Sequence, residues 1–317
     1  MTTSRVFFIT DVHGSTRCFK KFLNAAKFYS ANVLVLGGDI TGKLLVPIIE
    51  QGDGSYRCTY EGDELSLKNK TEVDGIVAKS NDSGYYTQLM TRKEYEEIAA
   101  DPNNVKAAFI KAMVDRVGEW VRLAEERLAR TGVSCYISPG NDDTFDIDPV
   151  LTSSSYVVNP EGRVVSIDGG HEMITLGYTN HTPWNSPREV DEEELSKMIE
   201  GMVANLKSTK SAVFNIHAPP INTLIDKAPM VDDNLKVVVK GNQVQWISAG
   251  SSACRRAIET HQPLLGIHGH IHESKGIVKI GRTLCANPGS EYGEGILRGF
   301  LAQLEGDRVK SYLLTSG

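Results

Sequence analysis

The N-terminal third of the chain alternates unbroken apolar runs with stretches of helical periodicity. Val6-Phe7-Phe8-Ile9 is a continuous apolar run, the pattern of a strand buried on both faces. Residues 15–29 place Phe19, Phe22, Leu23 and Ala26 on one helical face, with Ser15 or Thr16 as N-cap. Val33-Leu34-Val35-Leu36 is a second buried strand ending in Gly37-Gly38, so the three elements form a βαβ unit with a right-handed crossover. Between residues 43 and 90 the rhythm breaks. Leu44–Ile49 and Tyr56–Tyr60 are β-rich runs separated by turns such as Gln51-Gly52-Asp53-Gly54, which predicts an inserted hairpin or small meander. Helices are predicted over 91–100 and about 104–130, the second carrying a core stripe of Phe109, Met113, Trp120, Ala124 and Leu128. Further strands fall at Val133–Ile137, Val164–Ile167, Met173–Leu176, Val213–Ile216, Leu264–Ile267 and from Ile277 onward. Residues 190–206 read as a helix, with Asp191–Glu194 in the first turn where the dipole favours acids. No repeat or low-complexity linker interrupts the pattern. It predicts a single domain over 1–317 with an insertion at about 43–103.

Composition narrows the function. Lys and Arg number 34 against 40 Asp and Glu, a net charge of −6, so no basic excess exists to displace counterions from a duplex nucleic acid or an acidic membrane. No apolar run approaches the ~18 residues of a membrane span. The opening MTTSRVFFITDVHG has too short an apolar stretch for a signal peptide. Five scattered cysteines without a CxxC pair read as reduced thiols, and the expectation is a cytoplasmic enzyme.

Polar, metal-competent residues follow the buried strands. Asp11 and His13 come after the first, Asp39 after the second, and Asn141-Asp142-Asp143 after Val133–Ile137. His217 follows Val213–Ile216, and His270 and His272 follow Leu264–Ile267. Open α/β sheets bind ligands at the carboxyl ends of their strands. Asp11/His13 and His270/His272 are i, i+2 pairs, whose side chains share a side in extended chain. Nearby glycines at 37, 38, 140 and 269 permit close backbone approach. Carboxylate, imidazole and amide oxygen suit Mn²⁺, Fe²⁺ or Zn²⁺. The ligands exceed what one ion needs, and two divalent ions sharing a bridging carboxylate use them all.

The set Asp11-x-His13, Gly38-Asp39, Gly140-Asn141-Asp142-Asp143, His217 and Gly269-His270-x-His272 resembles the calcineurin-like metallophosphoesterase superfamily. The resemblance implies a four-layer α/β/β/α sandwich of two mixed sheets flanked by helices. It implies that Asp11, His13 and His272 hold one metal, that Asn141, His217 and His270 hold the other, and that Asp39 bridges them. The sequence departs from the family pattern at Asp142, where a leaving-group histidine is usual, and at Gly38-Asp39-Ile40-Thr41-Gly42, which lacks a further Asp or Asn. A carboxylate at Asp142 beside two cations is expected to be ionised, and so a poor general acid unless it shares a proton with Asp143.

Gly37–Leu44 falls short of a phosphate-binding GxxxxGK[ST] loop, because Leu44 offers no hydroxyl and Asp39 would sit in the phosphate cradle. The loop Tyr178–Pro187 carries His181 and Trp184 and is a candidate pocket wall, with His181 as a candidate replacement for the missing general acid and a packed surface loop as the plainer reading. Asn287-Pro288-Gly289-Ser290 is assigned a structural turn. The function expected is a dinuclear metal-dependent phosphoesterase, with Mn²⁺ favoured over Fe or Zn²⁺. It would hydrolyse phosphodiester bonds by attack of a metal-bridging hydroxide, with Asn141 and Asp142 as catalytic residues. The substrate expected is a small phosphate ester, such as a nucleotide, and a homo-oligomer is compatible. Alternatives on the same residues are a phosphomonoesterase or protein phosphatase, and a non-catalytic metal-binding interaction module.

Overall fold

In the computed structural model, which describes residues 3–317, the apolar runs become the central strands of two mixed sheets. In the first, Thr3–Ile9, Val33–Gly37 and Ser134–Ser138 run parallel, and Arg298–Glu305 with Arg308–Ser316 forms an antiparallel edge. In the second, Glu172–Leu176, Val213–Ile216, Leu265–Ile267 and Thr283–Asn287 run parallel, flanked by antiparallel Val164–Ser166 and Gly276–Ile280.

Strand alternation explains how the layers stack. On Thr3–Ile9, Val6 and Phe8 face one way and Phe7 and Ile9 the other. Val6 and Phe8 join Val33, Val35, Met173, Val213 and Ile267 in the core between the sheets. Phe7 and Ile9 join Phe19, Phe22, Trp120 and Val121 beneath the helices Thr16–Phe28 and Pro102–Leu128. The helices Glu192–Val203 and Ser252–His261 cover the outer face of the second sheet through Leu195, Ile199, Ala257 and Ile258. The architecture is the four-layer α/β/β/α sandwich. Burial of the parallel strands on both faces is why they read as unbroken apolar runs.

The segment after Lys43 is more than a meander. Asp63–Leu67, Tyr56–Tyr60 and Leu45–Glu50 are antiparallel, but Tyr86–Thr91 pairs in parallel with Leu45–Glu50. A parallel pairing requires a crossover, supplied by the helix Lys70–Asp82. That helix buries Val73 and Ser80 alone, so its sequence carries little apolar periodicity. Val46, Ile48, Cys58, Tyr60, Leu67 and Val73 give the four-stranded sheet its own small core. A second extension, unannounced by the hydrophobic pattern, pairs Lys227–Pro229 with Trp246–Ser248 and Val239–Lys240 with Gln243–Val244. No helix among the described residues is long and apolar enough to cross a membrane. All five cysteines are buried and unpaired.

Candidate metal centre

The sandwich brings every candidate ligand to one rim. Asp11 and His13 follow Thr3–Ile9, Asp39 follows Val33–Gly37, and Asn141 and Asp142 follow Ser134–Ser138. From the facing sheet come His217, after Val213–Ile216, and His270 and His272, after Leu265–Ile267. Hydrogen bonds lace these loops together. Asp11 N donates to Gly38 O and His13 N to Asp39 O, each at 3.0 Å. His270 N donates to the Asp11 carboxylate at 3.1 Å, joining the two sheets. Asp142 N donates to Asp39 Oδ1 at 2.9 Å. The buried Asp143 accepts from Ile40 N, Thr41 N, Thr41 Oγ1 and Gly140 N, at 2.6 to 3.0 Å. It thereby fixes the Asp39 loop against the Asn141 loop. Arg188, also buried, donates to Asp143 O at 2.9 Å, and its backbone N donates to Asn141 O at 3.1 Å.

The paired ligands converge by a different route from the one their spacing predicts. Asp11 (φ 52°), His13 (φ 37°) and His270 (φ 69°) occupy the left-handed region, as does Asp39 (φ 50°), so neither pair sits in extended chain. Each strand ends in a sharp turn that aims its side chain back across the rim. Such backbone is uncommon outside glycine, although Asp, Asn and His tolerate it best, and it persists only where the surroundings enforce it. Gly38 lies between the loops at φ 112°, where a Cβ would stand 2.6 Å from His217 Nδ1.

The donor atoms fit divalent ions. His217 Nδ1 lies 2.9 Å from Gly37 O, and a carbonyl only accepts, so that nitrogen carries the proton. Nε2 is buried and, among the described residues, without a hydrogen-bond partner; in the metal-free chain it keeps the ring's second proton, and its lone pair is released to a cation only as that proton leaves. A buried orphan of this kind is costly unless something ligates it. It faces Asp39 Oδ2 at 3.5 Å and Asp11 Oδ1 at 3.8 Å. His272 Nε2 lies 3.4 Å from Asp11 Oδ1 and 3.1 Å from His13 Nε2. Asn141 Oδ1 lies 2.8 Å from His270 Nδ1. Two ligands about 2.1 Å from one ion are roughly 3.0–3.4 Å apart, close to these separations. The atoms fall into two groups, Asp11/His13/His272 and Asp39/His217/His270, with His13/Asp39/Asp142 as a third combination.

Charge concentrates accordingly. Burial opposes ionisation of Asp39, but the His217 and His13 rings hold its carboxyl well below the usual range. Asp11 is likewise buried, yet His272 and His217 lower it to about 2. Burial would depress His217, and the Asp39 and Asp11 carboxylates overcome it and raise the ring to about 10. His13 and His270 go the other way, lowered by burial to about 3 and about 4. Protons and cations thus compete for the same lone pairs.

Asp39, Asn141, Asp142, His270 and His272 open onto a cavity of about 910 Å³. Its wall includes His181 and Trp184 of the 178–187 loop and takes Lys43, but no residue of 44–103. The four-stranded sheet lies behind the centre instead, where Tyr86 OH accepts from Gly42 N at 2.7 Å and Ser15 Oγ donates to Asp82 O at 2.6 Å. Lys43 is a site residue that the spacing of motifs misses. Its ammonium lies 2.6 Å from Asp142 Oδ2. Tyr292, whose ring centroid is 4.7 Å from that of His13, is another. Ser290 Oγ donates to Asp11 O at 2.6 Å, and Asn287 Nδ2 to Ile271 O at 3.0 Å, so the 287–290 turn braces two ligand loops.

No family model matches the chain. An uncharacterised protein of Methanocaldococcus jannaschii, MJ1162, is 34% identical over 153 residues, which are 47% of this chain and 61% of that one. The foldase protein PrsA 1 of Listeria innocua is 37% identical over 95 residues, 30% of each chain. This chain therefore spans less than two thirds of either relative. The solved structure of TT1561 from Thermus thermophilus aligns over 100% of this chain and 99% of its own, at 13% identity and a TM-score of 0.53. The two share a fold. The four-layer sandwich is the fold that the sequence resemblance implies.

Proposed function

We propose that this chain is a dinuclear metal-dependent phosphoesterase of the calcineurin-like type, acting on phosphodiesters. The observation that carries the reading is the meeting of seven donors from five strand ends around the buried, unpartnered His217 Nε2. Asp11, His13 and His272 would hold one divalent ion, Asn141, His217 and His270 the other, and Asp39 would serve both. When bound, such ions supply Lewis-acid charge and acidify water near neutral pH.

The remaining work belongs to side chains. Asn141 Nδ2 already donates to Ser186 Oγ at 2.7 Å and Asp142 Oδ1 at 3.2 Å, which presents Oδ1 as its ligand atom. Its part in catalysis is therefore to hold an ion in place. Burial and the Asp39 charge push the Asp142 carboxyl up, with Lys43 opposing. Lys43 fixes Asp142 and sets an ammonium at the cavity floor, where it stabilises charge on a departing oxygen. The carboxylate beside it disfavours a dianionic monoester more than a monoanionic diester. Water adds its oxygen to phosphorus as the bond to the leaving alcohol breaks. One water proton ends on that alcohol and the other on the product monoester or solvent. With no histidine at position 142, turnover depends on a good leaving group, and Asp142→His raises turnover chiefly on poor ones.

The test is hydrolysis of a bis-aryl phosphodiester by metal-stripped protein titrated with Mn²⁺, with Fe²⁺ and Zn²⁺ compared and His217→Ala run beside it. The reading requires metal-dependent turnover that disappears in the variant. Two tightly bound ions without turnover would instead favour a binding module. Faster cleavage of an aryl monophosphate would favour a phosphomonoesterase.

A further inference from the structure

The cavity that holds the candidate metal donors has a second end. Beyond Lys43 and the histidines its wall passes to Val231, Leu235, Val237 and Ile247, on the extension between Lys227 and Ser248. Leu235, Val237 and Ile247 remain 46%, 49% and 43% exposed. This is not loose chain, since Met230 N donates to Gln245 O, Val238 N to Met230 O and Gln245 N to Val238 O, at 2.8 to 2.9 Å. These bonds hold the extension in place, while Leu235, Val237 and Ile247 lack cover, as does Trp246 away from the cavity.

We infer that this wall receives one aliphatic arm of the phosphoester, so that the substrate class is an amphipathic phosphodiester carrying an alkyl or acyl chain. The inference rests on the phosphoesterase reading and specifies its substrate. Continuity is the first argument, because the charged end and the apolar end belong to one cavity. The second is the kind of surface. The extension's aromatic ring, Trp246, does not line the cavity, and the Ser248 hydroxyl on this wall is engaged by Lys227 Nζ at 2.5 Å. The extension itself gives a nucleobase no ring to stack on, since the cavity's Trp184 and Phe109 belong to other segments of its wall, whereas an alkyl chain needs none. An aliphatic chain would cover the half-exposed side chains and gain the transfer free energy that they forgo in water.

The experiment uses the Mn²⁺-loaded full chain and two probe series. Methyl to octyl phosphonates, titrated by calorimetry, report binding without turnover. The p-nitrophenyl alkyl phosphodiesters of the same lengths, with p-nitrophenyl thymidine phosphate beside them, report cleavage. Affinity is expected to rise about twofold to fourfold per methylene until the wall is covered. The slope should collapse in Val237→Asp and separately in Ile247→Ser, both at exposed positions where folding is not at stake. Cleavage of the methyl diester with a flat chain-length series overturns the inference and leaves the phosphoesterase reading intact. So does preference for the thymidine ester, or variants that alter oligomeric state by sedimentation but not the slope. No cleavage of any member overturns the reading, and the substrate assignment with it.

Discussion

The insertion over Leu45–Thr91 turns Val46, Ile48, Tyr60 and Val73 inward upon one another. The extension between Lys227 and Ser248, of similar β character, leaves Leu235, Val237 and Ile247 open on the cavity. One addition is finished by its own core and stands behind the candidate metal centre. The other is unfinished until something covers it and stands in front. The contrast separates two jobs that a β-rich decoration can do on one scaffold. Bracing needs side chains that are already buried, whereas selecting a ligand needs side chains that are not.

Substitutions at the centre, behind it and in front of it should therefore fail differently. The largest effect is expected at Asp39, which faces donors of both sets. Asp39→Ala should cost more than the about 100-fold that loss of an outer hydrogen-bond partner costs, with bound metal falling from two ions per chain. Metal analysis beside turnover checks this, and full turnover at reduced metal content would break the reading of a shared carboxylate. Next is Asp143, which touches no ion in this scheme. Asp143→Ala should weaken metal binding about 10- to 100-fold. It should also lower stability by about 1–3 kcal/mol for each buried donor stranded, a cost that urea unfolding of the metal-free protein reads directly. Lys43→Met should lower turnover by up to about a hundredfold while leaving metal content unchanged, and an unchanged rate would remove Lys43 from the chemistry.

The fourth prediction concerns pH. His217 is raised from 6.5 to about 10 in the metal-free chain, by Asp39 and Asp11 against the opposing effect of burial. A group raised on folding contributes stability that is complete below its unfolded value and lost as pH climbs through the folded one. The metal-free protein should thus lose thermal stability between about pH 6.5 and 10, and His217→Ala should flatten that slope. A slope of the opposite sign would mean that the ring is neutral in the folded chain. The smallest effect belongs to the insertion. Ile48→Val in its core should cost about 0.5–1.5 kcal/mol in thermal or urea unfolding and leave substrate range untouched. A shift in chain-length preference there would erase the distinction between brace and wall.

What the sequence disclosed follows the same division. Val6–Ile9, Val33–Leu36 and Val213–Ile216 are buried on both faces, so their burial is written in the residues themselves, and the polar residue ending each run marks the rim. All seven candidate donors could be named that way. Their backbone could not, because the left-handed turns at Asp11, His13, Asp39 and His270 are imposed by bonds from loops far along the chain. The helix Lys70–Asp82 escaped because it buries so little. Lys43 escaped because its partner Asp142 becomes a neighbour only once the strands Val33–Gly37 and Ser134–Ser138 pair. The extension before Ser248 escaped because exposed apolar residues carry no burial signal.

The left-handed turns also restrict what this rim can become. At Asp11, His13, Asp39 and His270 the main chain accepts Asp, Asn, His or Gly with least strain and resists β-branched or bulky replacements. Drift at these four positions is confined to a short alphabet, most of whose letters can still bind a cation. The backbone thereby acts as a filter on mutation. New specificities would have to be written at the aliphatic wall, where Leu235, Val237 and Ile247 can change without disturbing a single turn of the rim.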